Sequence, residues 1–294
     1  MQARAVSVVL RSNKTNIHPT ARIADDVIIE CDVFELGEHS YIGPGCRITC
    51  REFIAGDYLW MPGNVDVGRG GCNGVDSRVH IGHSVGIFEG TVINPSERVT
   101  IGDCVGIGAD CLIWTHGAWC DPMQGFPFGF ESVSIGSNVW LPARSILLPG
   151  ANVGDNCVIG TGSIITKDIP SGSLAMGSPC KVVKENEYPK TLTAEEKDAM
   201  LQKIVNAWLR QLAGKDAQRR VYSCDVAKSI IILCDSDGLL FTHFDCDTKQ
   251  TIGPITDLSE DLRDFLRRYG IRIYNGEPFK SMRPTYETCL EPAS

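Results

Sequence analysis

The sequence predicts a mainly β chain: a solenoid of short stacked strands followed by a smaller α+β region. Three observations predict it. An aliphatic residue returns every six positions through the first two thirds of the chain. A small or short side chain follows four positions after most of these. Beyond about residue 188 both rhythms stop, and the apolar spacing becomes helical.

The aliphatic series runs Ile17, Ile23, Ile29, then Ile42, Ile48, Ile54, then Ile81, Ile87, Ile93, then Ile101, Ile107, Ile113. Its most regular stretch is Ile135, Leu141, Leu147, Val153, Ile159, Ile165. Six is an even number, so each of these positions falls on one face of an extended chain. The short residues four positions on are Ala21, Val27, Val33, Cys46, Val85, Thr91, Val105, Cys111, Val139, Ser145, Cys157 and Ser163. Helical spacing of three and four does not fit. Short strands joined by corners do, with Gly, Asn and Asp supplying corner backbone at low steric cost. Stacked coils of this kind bury one continuous narrow core. Cys46, Cys111 and Cys157 then read as small apolar fillers of an inner slot.

Two segments interrupt the rhythm. Residues 65–76 are glycine-rich and read as an excursion at a corner; neither G-x-G-x-x-G nor Walker spacing is present, so no phosphate loop is assigned. Residues 117–131 carry Trp119, Pro122, Pro127 and three phenylalanines, and they begin directly after His116. A loop of that length in a compact domain is usually functional.

The domain boundary is expected at 188/189. Thr193-Ala-Glu-Glu196 has capping-box spacing, and Met200, Leu201, Ile204, Val205, Trp208, Leu209 and Leu212 form a helical stripe that Gly214 would end. Ser229–Cys234 and Gly238–Phe244, flanking Asp235-Ser-Asp237, read as a hairpin. Asp257–Arg268 reads as a second helix, ended by Gly270 and followed by a strand Ile271–Tyr274. Arg219-Arg220 and Arg267-Arg268 read first as solvated pairs, with an anionic acceptor as their alternative use.

Bulk properties narrow the function classes. A net charge of −8 argues against nucleic acid as a partner. No apolar run approaches the roughly 18 residues that a membrane span needs. The apolar start is short and soon meets Arg11 and Lys14, so it is not read as a signal peptide. Thirteen cysteines are an odd number with no C-x-x-C pair, which favours reduced thiols in a cytoplasmic protein over a disulfide framework or structural zinc.

The stretch from Ile135 to Pro170, with Val139-Trp140 and Thr166-Lys-Asp-Ile-Pro170, resembles hexapeptide-repeat acyltransferases of the galactoside, maltose and xenobiotic acetyltransferase type. Gly177-Ser-Pro-Cys-Lys-Val-Val-Lys184 is similar to the end of their β-helix. The resemblance covers roughly residues 17–185 and is dense from 99 to 184. It implies a left-handed parallel β-helix, a homotrimer with active sites between neighbours, and acetyl-CoA as cosubstrate with no metal. It further implies His116 as the base and Trp140 near the pantetheine arm. Ala143, Thr161 and Thr166 would contact the cofactor, and Lys167, Lys181 and Lys184 would lie near its phosphates or adenine. Lys181 and Lys184 stand where relatives commonly have arginine, keeping a point charge without the bidentate grip. Phe88 stands where some sugar acetyltransferases use asparagine, which puts their acceptor preference in doubt.

The chemistry reads consistently with that implication. A hydroxyl attacking a thioester must lose its proton as it attacks, and a neutral imidazole in reach contributes about 10²–10⁴-fold. His116, three residues past Ile113 at a predicted corner, is the candidate. Without a G-x-S-x-G elbow, direct attack is simpler than an acyl-enzyme. Oxyanion donors are expected to be backbone N–H groups. His80 and His83 read mainly as coil residues, with His83, Phe88 and Trp119 as weaker acceptor-binding candidates. The leading expectation is O-acetylation of a carbohydrate. N-acetylation of an amino sugar is the runner-up, and a noncatalytic β-helix binding or assembly module is the reading from another class. A gamma-class carbonic anhydrase-like zinc site would have to use His80, His116 and Asp121, and it leaves Trp140 and the Gly-x-Pro-Cys-Lys stretch unexplained.

Overall fold

The computed structural model describes residues 8–71, 74–212, 214–215, 221, 223–234 and 238–282. The chain divides into two compact units, Met1–Lys190 and Thr191–Ser294.

The first unit is a parallel β-helix followed at its end by one antiparallel strand. One face stacks Arg22–Ile23, Tyr41–Ile42, Trp60–Met61, Gly86–Ile87, Gly106–Ile107, Trp140–Leu141, Val158–Ile159 and Leu174–Met176 in that order, and Lys181–Lys184 closes it antiparallel. At the top, Val9–Ile17, Ile28–Leu36 and Arg47–Ala55 pair in parallel as nine-residue strands. Below them this sheet splits into two rows. One runs through Asp66–Val67, Val92–Asn94, Leu112–Trp114, Ile146–Leu147 and Ile164–Ile165. The other runs through Arg78–Ile81, Val99–Ile101, Val133–Ile135 and Asn152–Val153. Three faces around one core are what a chain of short strands and corners produces when each coil pairs only with its neighbours.

The core is the predicted one over most of its length. Ile29, Ile42, Ile48, Ile87, Ile93, Ile107, Ile113, Leu141, Leu147 and Ile165 are wholly buried, and Cys46, Cys111 and Cys157 fill the slots beside them. The register departs from expectation at the top. Ile54 and Val33 are only half-buried, while Phe53, Ala55, Phe34 and Leu36 point inward. The reason is coil length. Ile28 pairs with Arg47, nineteen positions on, whereas Ile146 pairs with Ile164, eighteen on. One added residue at a corner sends every following side chain to the opposite face. Phe34 and Phe53 take the inner places and stack with ring centroids 5.7 Å apart.

The second unit packs two helices with a four-stranded antiparallel sheet. Helix α1 spans Ala194–Leu212, and it opens on the expected capping box: Glu196 N–H donates to Thr193 Oγ1 at 3.2 Å and Thr193 N–H to Glu196 Oε2 at 2.8 Å. Leu201, Ile204, Val205, Trp208 and Leu212 of the predicted stripe are buried; Met200 is half exposed. The expected hairpin is Ile230–Cys234 with Phe241–Asp245, and Ser223–Ala227 and Gln250–Ile252 flank it as strands the periodicity did not reveal. Helix α2 spans the predicted Asp257–Arg268. The expected strand Ile271–Tyr274 does not form. That segment is irregular; Ile273 is buried and its carbonyl accepts from the wholly buried Arg263 guanidinium at 3.1 Å. Arg219-Arg220 and Asp235-Ser-Asp237 lie outside the described residues. Among those described, no helix is long and apolar enough to cross a membrane.

Candidate active site

His116 follows the strand Leu112–Trp114 at the corner between the two split rows. Thr115 before it is wholly buried; its hydroxyl donates to the Asn94 carbonyl at 2.8 Å and accepts from Glu97 N–H at 2.9 Å. These bonds tie the His116 corner to the corner of the preceding coil, where Asn94-Pro95-Ser96 sits. His116 Nδ1 lies 2.8 Å from Asn94 Oδ1 and 3.0 Å from Ser96 Oγ.

This arrangement selects a tautomer. Asn94 Nδ2 donates to the Arg69 carbonyl at 2.8 Å, which turns Asn94 Oδ1 toward the imidazole. The Ser96 hydroxyl also donates to that oxygen, at 3.1 Å. An acceptor 2.8 Å from Nδ1 requires the ring proton there, so Nε2 carries the lone pair. The ring is also held on its faces: Phe130 stacks on it at 5.5 Å and 17°, and Trp114 meets it edge-on at 6.0 Å. Phe130 arrives through a two-residue antiparallel pairing, His116 with Phe130 and Gly117 with Gly129.

That pairing closes the 117–131 loop. Within it Asp121 caps the short 3₁₀ turn Pro122–Gln124, accepting from Met123 N–H at 2.9 Å. Trp119 is 98% exposed, and Phe126 and Phe128 are exposed with it. Among the described residues no three His, Cys, Asp or Glu side chains converge as a metal-binding group. Within the chain, His80 faces Glu52 at 3.3 Å and Asp121 caps its turn.

The cofactor candidates gather lower down. Trp140 lies on the first face with its indole laid over Gly106, where any Cβ would come within 2.6 Å of the ring. A side chain larger than hydrogen at 106 would lift that ring from the sheet. Ala143 and Thr161 occupy successive corners, joined by Gly162 N–H donating to the Ala143 carbonyl at 3.1 Å. From those corners the chain runs through Ile146–Leu147 and Ile164–Ile165, the row below Leu112–Trp114, to Thr166 and Lys167. By register Thr166 thus stands two coils below Trp114, about 10 Å at the usual strand spacing. The segment before Lys181 adds to the same row, Cys180 N–H donating to the Ile164 carbonyl at 2.7 Å. Lys184 sits apart, 3.5 Å from Glu187, whose carboxyl is held below its ordinary value chiefly by Lys190.

The weaker candidates lie elsewhere. His83 stands at the corner between the third and first faces. There it belongs to a ladder: Asp57 N–H donates to His83 Nδ1, His83 N–H to Asp103 Oδ1, and Asp103 N–H to Ser137 Oγ. Phe88 is on another corner, its ring over Gly86. Asn94 and Ser96 were missed, although the sequence carried a signal: the six-residue step stretches to eight between Ile93 and Ile101, across Asn-Pro-Ser.

Residues 132–167 match the family model described as bacterial transferase hexapeptide (six repeats). That segment therefore carries the hexapeptide repeat of that family model. The chain is homologous to galactoside O-acetyltransferase of Escherichia coli (strain K12), with 37% identity over 115 residues, covering 37% of this chain and 55% of that protein. The chain thus spans about half the length of that relative. Among solved structures, galactoside acetyltransferase in complex with coenzyme A aligns at 28% identity and TM-score 0.31, over 45% of this chain and 64% of that one. The polySia-specific acetyltransferase NeuO aligns at 24% identity and TM-score 0.41, over 70% and 99%.

Proposed function

We propose that this protein is an acetyl-CoA-dependent O-acetyltransferase that acts on a hydroxyl of a carbohydrate, with His116 as general base. The observation that carries the reading is the Asn94–His116 hydrogen bond. In the neutral imidazole it places the proton on Nδ1 and leaves the basic Nε2 available. His116 Nε2 takes the proton of the acceptor hydroxyl as its oxygen bonds to the thioester carbonyl carbon. The carbon–sulfur bond then breaks, and the proton passes to the departing thiolate, leaving an ester and free CoA. Each step is balanced without an acyl-enzyme.

The chain's residues suit acetyl-CoA as the donor. Trp140 offers an indole 45% exposed on a flat, glycine-backed surface, as an extended pantetheine arm requires. Lys167, exposed, lies at the far end of the row that starts at Ala143 and Thr161, and Lys181, also exposed, pairs with Met176 beside the Thr161 corner; both are cations that anionic phosphates would meet. Homology to a galactoside O-acetyltransferase supports oxygen rather than nitrogen as the nucleophile. A homotrimer in the cytoplasm, with Trp119 and its loop next to the acceptor, completes the proposal.

The test is steady-state release of free CoA by wild type and His116→Ala across hydroxyl and amino sugars. Release that requires a hydroxyl acceptor and drops about 100-fold or more in the variant, with CoA affinity intact, is the expected result. Release only with amino sugars would move the reading to N-acetylation. A wild-type protein that does not bind CoA would return the β-helix to a binding or assembly role.

A further inference from the structure

Away from the His116 site, at the top of the β-helix, two thiols are stacked on one another. Cys31 and Cys50 are register partners on the adjacent strands Ile28–Leu36 and Arg47–Ala55. Their Sγ atoms lie 3.9 Å apart. Both are inward-facing and nearly buried, yet both line an open recess of about 430 Å³ whose walls include Arg11, Asp32 and Arg51. We infer that Cys31 and Cys50 form a reversible oxidation site, a dithiol that a hydroperoxide entering this recess converts into a disulfide joining two successive coils.

The geometry permits the bond. Adjacent parallel strands put paired Cα atoms about 4.8 Å apart, inside the roughly 4.4–6.8 Å that a disulfide spans. Each sulfur must then move by about 1 Å, within reach of side-chain rotation alone. The roles are asymmetric. The Cys50 thiol can hydrogen-bond to Cys31, which holds the Cys31 thiol below its ordinary value, while Cys50 is pushed up by that same contact and by burial. Cys50 Sγ also donates to the Glu52 carbonyl at 3.3 Å, and Cys31 is the more exposed of the two, which makes Cys31 the attacking sulfur, since the thiolate is the nucleophile.

The electrons balance in two steps. The Cys31 thiolate attacks one peroxide oxygen; the O–O bond breaks, and the products are a sulfenic acid and water or an alcohol. The Cys50 sulfur attacks the sulfenyl sulfur, its proton leaves with the hydroxyl as water, and the S–S bond forms. Two thiols are oxidised and one hydroperoxide is reduced. A thiol reductant reverses the change by exchange.

The recess is a pocket of charged and polar side chains, not an apolar seal. Ser12 continues the same column one coil above, paired with Cys31. A serine is thus already accommodated in this column, so Cys31→Ser and Cys50→Ser are suitable variants.

The test uses the full chain, exposed to hydrogen peroxide, then alkylated and digested with trypsin. Cleavage after Arg22, Arg47 and Arg51 puts Cys31 on Ile23–Arg47 and Cys50 on Ile48–Arg51. The expected product is these two peptides joined, lighter by two hydrogens, and separated again by dithiothreitol. Fragmentation must place the link on Cys31 rather than Cys46. The product should be absent from both serine variants, whose far-UV circular dichroism matches wild type. The exposed Cys120 serves as the internal control for oxidant. If Cys120 is oxidised while Cys31 and Cys50 are both recovered alkylated, or each is recovered as its own sulfinate, the inference is overturned. So it is if the linked peptide persists in Cys31→Ser, where only Cys46 could hold the link.

Discussion

Asn94 Oδ1 accepts a 2.8 Å hydrogen bond from His116 Nδ1, and the amide that presents it is itself fixed by the Arg69 carbonyl. The partner that orients this imidazole is therefore a neutral amide, not a carboxylate, which has a measurable consequence. Asn94→Ala should lower kcat by about 10–100-fold with little change in the KM for acetyl-CoA, and the double variant with His116→Ala should be no worse than His116→Ala alone, because the two act as one unit. Asn94→Asp places a negative charge beside the ring and raises its pKa. Since the base must be neutral, the acid limb of the kcat/KM profile should move to higher pH.

Trp140 rests on Gly106 at a distance that leaves no room for a Cβ. Gly106→Ala should therefore act on the proposed cofactor site without touching it directly. The expected result is a several-fold rise in the KM for acetyl-CoA, similar to that of Trp140→Ala, with the acceptor KM unchanged. Unchanged acetyl-CoA kinetics in both variants would remove Trp140 from the proposed site.

The register at the top of the β-helix is testable by a pair of neighbours. Phe53 is wholly buried and stacked on Phe34, whereas Ile54 lies half-buried on the outer side. Phe53→Ala should cost about 3–5 kcal/mol in urea denaturation. Ile54→Ala should cost less than about 1.5 kcal/mol. The opposite order would mean that the six-residue count, and not the lengthened corner, sets which side chains face inward.

Asp264 provides a pH prediction for the second unit. Its side chain is nearly buried, and burial alone would push its pKa up; Arg267 and Arg268, each 2.8 Å away, outweigh that and hold it below the ordinary carboxylate value. A carboxylate depressed in the folded state stabilises above its unfolded pKa, and the contribution is lost as pH falls through the folded one. Asp264→Asn should cost about 1–3 kcal/mol at neutral pH. The gap to wild type should narrow below about pH 4, near the unfolded aspartate value. Trp208, the only tryptophan of this unit, reports the transition by fluorescence.

Much of this was legible from residue order. Ile135 to Ile165 keep the six-residue step because the corners there are uniform, and all six predicted positions face the core. Thr193 and Glu196 announced α1 because a cap is a local contact, satisfied within one turn. Ile54 and Val33 were misplaced because one extra corner residue changes side-chain parity without altering composition. Ser223–Ala227 and Gln250–Ile252 escaped notice because short outer strands of an antiparallel sheet bury few side chains. Ile271–Tyr274 looked like a strand by its alternation, but Arg263 takes up its carbonyl instead of a neighbouring strand doing so.

By itself, then, the sequence determined the parallel β-helix, its core over the regular coils, the two helices of the second unit and the prominence of His116. Those features rest on periodicity and on contacts between residues near in the chain. Only the tertiary structure decided what holds the imidazole. Asn94 lies twenty-two residues before His116, and the two meet because each coil returns the chain to the same corner one strand spacing lower. The same stacking set Trp140 on Gly106 and Cys31 against Cys50. Which residues become neighbours across coils depends on the length of every corner between them, a sum that no local pattern records.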